Sequence, residues 1–170
     1  MHLETPRLLL APPHPVADIA ELWAVFNSNP DFLMASEGTR WYLQSDVQNY
    51  VQIETRRKHG RCLVVRLRDD GQIVGTAALQ VPHPSGTPWI GLLIVHGSHQ
   101  GRGYGREAAL ALEDALRREG WAEVRLSVLQ ANPRALKFWR RTGYDVVEEK
   151  MDALSRPCWV LGKQLCSAAA

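Results

Sequence analysis

The chain has 170 residues, close to the length of one domain. Lys and Arg total 20 against 18 Asp and Glu, a net charge of +2, which excludes a nucleic-acid binder that works through bulk positive charge. A composition of 45% hydrophobic and 22% charged residues excludes wholesale disorder, and a chain of this length buries roughly 70% of its unfolded surface without staples. The three cysteines, Cys62, Cys158 and Cys166, form no Cys-x-x-Cys pair, and their odd number argues against a disulfide framework and for a reducing compartment. The opening Met1-His2-Leu3-Glu4-Thr5-Pro6-Arg7 lacks the basic start and apolar core of a signal peptide, and Leu92-Leu93-Ile94-Val95 is too short to span a bilayer. A cytoplasmic protein is expected, with neither membrane nor nucleic acid as partner.

In chain order, Arg7–Ala11 is a short apolar run stopped by Pro12-Pro13 and reads as a strand. Val16–Asn27 carries Ile19, Leu22, Trp23 and Phe26 at helical spacing, and Asn29-Pro30 ends it. Gln44–His59 predicts a second helix, closed by Gly60. Arg61–Arg68 and Gln72–Val81 read as two strands joined by the hairpin signal Asp69-Asp70-Gly71. After a Pro/Gly loop, Trp89–Val95 is a continuous apolar run, as for a strand buried on both faces. Tyr104–Glu119 is an amphipathic helix ended by Gly120. Glu123–Gln130 is a strand, Pro133–Arg141 a short helix, and Tyr144–Lys150 and Pro157–Gly162 are strands. Residues 1–166 form one mixed α/β domain, and 167–170 read as a disordered tail.

The sharpest feature is His99-Gln100-Gly101-Arg102-Gly103-Tyr104-Gly105-Arg106, between a buried strand and a helix. Glycines let the backbone approach a ligand closely, a helix start presents unpaired N–H groups to phosphate oxygens, and Arg102 and Arg106 add charge. The alternative is a turn that merely needs flexible residues. No Gly-Lys-Ser/Thr follows, so this is not a Walker loop, and the spacing gives only a weak variant of the dinucleotide fingerprint.

Gln100-Gly101-Arg102-Gly103-Tyr104-Gly105 fits the Gln/Arg-x-x-Gly-x-Gly/Ala signature of the GNAT N-acyltransferase superfamily, which the chain resembles over nearly its whole length. A second segment, Asn132-Pro133-Arg134-Ala135 through Phe138, Trp139, Gly143 and Tyr144, is similar to that superfamily's Asn-x-x-Ala…aromatic-x-x-x-Gly-aromatic stretch. The opening Glu4-Thr5-Pro6-Arg7-Leu8-Leu9-Leu10 is similar to the start of the branch that holds the ribosomal-protein N-acetyltransferases. The resemblance implies a mostly antiparallel sheet of about seven strands with about four helices, splayed in its middle. It implies acetyl-CoA as co-substrate and no metal. Leu93, Ile94 and Val95 would offer backbone groups to the pantetheine amides, and Gln100, Gly101, Arg102, Gly103, Tyr104, Gly105 and Arg106 would wrap the pyrophosphate. Asn132 would bond the pantetheine arm and also cap the helix begun by Pro133. Homodimers are common in the superfamily, so a homodimer is compatible with this reading.

Amide formation by direct attack needs a neutral amine, a polarised thioester carbonyl and a proton for the departing sulfur. A lysine-type amine of pKa ~10.4 is neutral about once in ~2,500 molecules at pH 7, and an α-amine of pKa ~8 about once in ~10. The chain departs from the family at both usual catalytic places. Trp139 stands where an aromatic hydroxyl often serves as acid, and an indole N–H is no such donor. Ser127 stands where a carboxylate often sits, and it is left as a candidate for a water relay or as a plain strand hydroxyl.

His83, in the Pro-rich loop, and His96, after the Trp89–Val95 strand, are of a type suited to base work, or are surface and loop histidines without a chemical role. Asp31 and Glu37 fall between the first two helices, a region that the resemblance implies lines the acceptor side, and they read either as binders of a cationic amine or as solvated loop carboxylates. Phe32, Trp41 and Tyr42 are candidates for an aromatic acceptor pocket or for core. Tyr144 reads as a core residue and Cys158 as buried and inert. The expectation is an acetyl-CoA-dependent N-acetyltransferase acting on a primary amine, small molecule or peptide α-amine. The other readings are a non-catalytic acyl-CoA-binding module of the same fold and an enzyme for a different nucleotide.

Overall fold

The computed structural model describes residues 1–165; Cys166 and the tail expected over 167–170 lie outside them. The strands are β1 (Leu3–Glu4), β2 (Leu8–Ala11), β3 (Gly60–Leu67), β4 (Ile73–Gln80), β5 (Trp89–Val95), β6 (Glu123–Leu129), β7 (Asp145–Met151) and β8 (Pro157–Gln164). The helices are α1 (Ile19–Asn27), α2 (Pro30–Glu37), α3 (Gln44–Arg56), α4 (Tyr104–Arg118) and α5 (Pro133–Arg141). All eight strands form one sheet in the order β1-β2-β3-β4-β5-β6-β8-β7, antiparallel except between β5 and β6. This is the mixed, mostly antiparallel architecture expected.

The sheet separates two apolar layers. Leu112 and Leu116 of α4 and Trp139 of α5 pack on one face against Leu63, Leu79, Leu126 and Leu161. Leu22 and Phe26 of α1, Leu33 of α2 and Val47 and Val51 of α3 pack on the other against Val64, Ile73 and Ile94. The β3–β4 hairpin turns where Asp69-Asp70-Gly71 predicts it, with Gly71 at φ +77 and its N–H donating to Leu67 O.

Three departures are local. Asn29-Pro30, expected as a helix end, also starts α2, because Pro30 stands at its first turn, where a missing N–H costs nothing. Gly38 at φ +72 closes that helix. A two-residue strand, β1, pairs Leu3 with Leu10, so the described residues form eight strands and five helices where about seven and about four are expected. And β5 is not buried on both faces: Gly91 is exposed and Leu92 and Leu93 half-buried.

That third departure shapes the molecule. β5 pairs with β6 only at Trp89–Arg125 and Ile90–Leu126. Beyond Ile90 the two diverge, while β4 holds β5 and β8 holds β6 from Glu123 to Leu129. The register of β4 and β5 slips between Ala78 and Leu79, leaving Gly91 as the extra residue of a bulge where the gap opens.

A buried ion pair braces the α4 face. Lys163 Nζ on β8 donates to Glu113 Oε2 of α4 at 2.6 Å and to Thr142 O at 2.8 Å. Glu113 is 2% exposed, and Lys163 also lies 5.5 Å from the centre of the Tyr144 ring. Lys163→Met leaves the buried carboxylate without its cation and should lower the unfolding free energy by about 3 kcal/mol, with Glu113→Leu in the same chain recovering most of it. Urea denaturation of the three proteins checks this; an unchanged midpoint in the single variant would show that Glu113 does not depend on that cation.

Candidate active site

After β5 the chain makes a short 3₁₀ turn at Gly97–His99 and then the glycine loop. Gly101 and Gly103 have φ of +77 and +85, backbone that side chains rarely adopt, and Gly103 is the N-cap of α4. The first bond of α4 runs from Glu107 N to Gly103 O at 3.0 Å. Among the described residues no acceptor takes the N–H groups of residues 101 to 106. Six successive amides at a helix start, flanked by the exposed Arg102 and Arg106, make a site for an anion with several oxygens.

Gln100 is bonded within the chain. Its own N–H goes to Gly97 O, and its side-chain Nε2 donates to Val95 O at 2.9 Å and to Asn29 Oδ1 at 2.7 Å. Its Oε1 accepts from Arg134 at 2.5 Å. It is a strut that ties the loop to the start of α2 and to α5, so the free amides begin at Gly101.

Beneath the loop lies an anchor the motifs did not reveal. Arg7 donates to Arg102 O at 3.0 Å and to both oxygens of Glu107, and its guanidinium stands 4.6 Å from the centre of the Tyr104 ring. Thr5 Oγ1 also donates to Glu107, at 2.6 Å. Burial alone would raise the Glu107 carboxyl, but the bonds from Thr5 and Arg7 outweigh it and hold the group below the usual carboxylate range. Arg7 and Glu107 are 100 positions apart, so no local pattern could pair them.

The divergence of β6 leaves one edge of β5 unpaired. His96 N donates to Val74 O, and in an antiparallel ladder successive residues alternate in direction. In the register Gly75–Val95 to Ala78–Leu92, the backbone groups of Leu92 and Ile94 therefore turn to β4, and those of Leu93 and Val95 turn into the gap. The main chain of Ile94 pairs with β4 and its side chain lies in the core. The Val95 carbonyl is used by Gln100 and Asn29, which leaves its N–H. A Cβ on Gly105 would lie 3.4 Å from Phe138 and 3.6 Å from Val95, so loop, α5 and β5 meet there.

Asn132 caps α5 by accepting from Ala135 N at 3.0 Å, which uses its Oδ1 and leaves its amide donors. Trp139 is 7% exposed and sits edge-on to Phe138 and Tyr144 in the core. Tyr144 is likewise core, its phenol pushed far up by burial and by the Glu113 charge. Ser127 faces the gap, exposed, and its hydroxyl makes no hydrogen bond among the described residues.

On the α1–α3 side the gap opens into a cavity of about 280 Å³. Its floor is Gly91 and Leu92 of β5, Ser127 and Leu129 of β6 and Cys158 of β8; its walls come from α1, α2, α3 and the β7–β8 turn. Glu37, Phe32 and Tyr42 line it, whereas Asp31 and Trp41 do not. Asp31 is 92% exposed beside Arg40, and Trp41 packs edge-on to Trp23 outside it.

Neither candidate histidine reaches the cavity. His83 stacks on Trp89 and bonds Ser85, and burial, then Lys150, lowers its pKa. His96 accepts from Ser98 N as the cap of the 3₁₀ turn, and burial and His99 lower it. Cys158 lines the cavity, but burial pushes its thiol up, so little thiolate forms. Among the described residues there is no cluster of three or more His, Cys, Asp or Glu arranged for a metal, and no helix long and apolar enough to cross a membrane.

Solved structures share this fold over almost the full chain. An acetyltransferase from Thermus thermophilus is 25% identical, with 96% of this chain and 99% of that chain covered and a TM-score of 0.76. A GNAT-family acetyltransferase from Bacillus anthracis is 16% identical, with 97% and 99% covered and a TM-score of 0.80. The ribosomal L7/L12 alpha-N-protein acetyltransferase RimL, solved in complex with coenzyme A, is 14% identical, with 96% and 98% covered and a TM-score of 0.79. No curated protein sequence matches. Residues 19–144, which run from α1 through the glycine loop to the end of the Asn132 segment, match the profile of the Acetyltransferase (GNAT) family, and the chain belongs to that family.

Proposed function

We propose that the protein transfers the acetyl group of acetyl-CoA to a primary amine by direct attack in a ternary complex. The observation that carries this reading is the run of six unpaired amides, residues 101 to 106, beside a sheet parted between β5 and β6. The loop suits a diphosphate, the Leu93 and Val95 edge suits an arm with amide groups, and the cavity beyond suits an acceptor. RimL, which shares the fold, was solved with coenzyme A bound, and this supports the same ligand here.

Acetyl-CoA supplies the acyl group as an activated thioester. The amides of Gly101 through Arg106 hold the diphosphate, with Arg102 and Arg106 adding charge. Leu93, Val95 and the Asn132 amide direct the arm through the gap. An N–H on the open edge of β5, from Leu93 or the bulged Gly91, polarises the carbonyl as negative charge develops on its oxygen. The amine enters from the α1–α3 side, and holding it against the carbonyl supplies much of the acceleration. The C–N bond forms as the C–S bond breaks, and one proton passes from nitrogen to sulfur. Ser127, whose hydroxyl faces the gap uncommitted, relays that proton through water.

A second reading, acyl-CoA binding without turnover, is favoured by Trp139 lying in the core and by the lack of a histidine in the cavity. Calorimetry with acetyl-CoA followed by an amine panel separates the two: binding without acetylation of any amine supports the module.

Gly103→Val forces a β-branched residue to φ +85 with its Cβ against Arg7 Nη2, and should weaken acetyl-CoA binding at least about a hundredfold by calorimetry. Unchanged affinity would remove the loop from the site. Trp139→Phe should leave kcat within about twofold, since the indole serves packing alone; a hundredfold loss would give it a chemical role. With no histidine in the cavity, log kcat/KM for a primary alkylamine should climb with a slope near one from pH 7 to 9 and show no inflection near ~6.5. His83→Ala should leave that profile in place.

A further inference from the structure

We infer that the acceptor is a small primary amine on an aromatic or other apolar body that carries no carboxylate, and that Glu37 draws it in as the ammonium, which releases one proton to solvent before the neutral nitrogen attacks. This inference rests on the N-acetyltransferase reading and names the substrate of the same site.

The charges around the cavity decide the first half. Asp152, Arg156 and Glu37 are its charged groups. Arg156 Nε and Nη2 both meet Asp152 Oδ2 at 2.7 Å, and its Nη1 donates to Ala35 O and Ser36 O, each at 2.7 Å. Asp152 also accepts from the N–H groups of Leu154 and Arg156. The guanidinium is therefore spent on Asp152 and on the end of α2, and has little left for a substrate carboxylate. Glu37 is the next residue of α2 and has no ion-pair partner among the described residues. The cavity thus carries one unmatched negative charge, which attracts an ammonium and repels a carboxylate.

The walls and size decide the second half. Phe26 lies 5.5 Å from Tyr42 and 5.2 Å from Tyr50, ring to ring, and with Phe32 they present four aromatic side chains to the cavity. The faces of such rings suit both an apolar body and a cation. Burial, then the charge of Glu37, pushes the Tyr42 phenol up to about 12, so it stays a neutral donor beside the carboxylate. The Tyr50 hydroxyl is buried without a partner among the described residues. A volume of about 280 Å³ falls at the small end of ligand pockets, room for one ring and a short chain rather than an extended peptide.

The test uses the purified full chain with acetyl-CoA and matched acceptors: phenethylamine, tyramine and tryptamine, the amino acids phenylalanine, tyrosine and tryptophan, and a tetrapeptide amide beginning with Phe. Each amine should exceed its amino acid in kcat/KM by at least about thirtyfold and exceed the peptide as well. Glu37→Gln should lower kcat/KM for the amines about tenfold, mainly through KM, and narrow the amine-to-amino-acid ratio, while calorimetry shows acetyl-CoA bound as before. Glu37→Asp should restore part of the loss. An amino acid or the peptide matching the amines overturns the inference, as does a ratio that Glu37→Gln leaves unchanged. Acetylation of spermidine or a lysine peptide but of none of the aromatic amines overturns it and leaves the N-acetyltransferase reading standing. Failure to bind acetyl-CoA overturns both.

Discussion

Two neighbouring parallel strands normally satisfy each other's backbone, and here they stop doing so after two pairs. Every main-chain group that β5 turns toward the gap beyond Ile90 lacks its ladder partner. Buried backbone groups left unpaired are costly, so such an opening persists only where something else meets them. One of the gap's groups is accounted for internally, since Val95 O takes the amides of Asn29 and Gln100. The remaining edge and the six loop amides point to a common track along β5 and α4. Firm pairing on both sides offsets the opening: β4 holds β5, and β8 follows β6 throughout.

The loop is as constrained as the gap. Glycines at 101 and 103 allow its path but do not specify it. The path is set from outside by Arg7, which holds the Arg102 carbonyl and the first turn of α4 together, and by Gln100, which reaches Asn29 and Arg134. Three distant segments therefore converge on one turn. A binding surface of backbone amides works only when it is preorganised, because amides free to rotate would lose ordering entropy on meeting their ligand.

What the residues alone can tell follows from the range of the forces involved. The glycine spacing, the Asn132 cap and the Asp69–Gly71 turn are local, and each is legible. The extent of the splay is not, because an apolar run such as Trp89–Val95 has the same appearance whether a neighbouring strand or a ligand lies alongside. Asn29-Pro30 has two local meanings, end and start, and only packing of Leu33 against α1 and α3 selects the second. Without α2 the face of that segment is unspecified, so Asp31 and Glu37 look equivalent; six residues of helix, about one and two-thirds turns, put the first beside Arg40 and the second, also exposed, at the cavity. Gln100 fits a ligand role by motif, but its side chain is already claimed by partners no motif contains.

The arrangement divides the work between the two faces of the sheet. The loop, α5 and the Arg7 anchor lie with the α4 layer, and the cavity lies with α1, α2 and α3. The cavity meets the parted strands at Gly91, Leu92 and Ser127. The walls of the cavity, on α1, α2, α3 and the β7–β8 turn, share no residue with the amide run. Under the proposed function, sequence change in those walls would alter the acceptor without disturbing the hold on the donor, and the strand edge itself joins the two. Arg156 keeps the cavity wall in place: it joins the β7–β8 turn to the carbonyls near the end of α2, so the wall bearing Glu37 is positioned by the same sheet whose opening it faces.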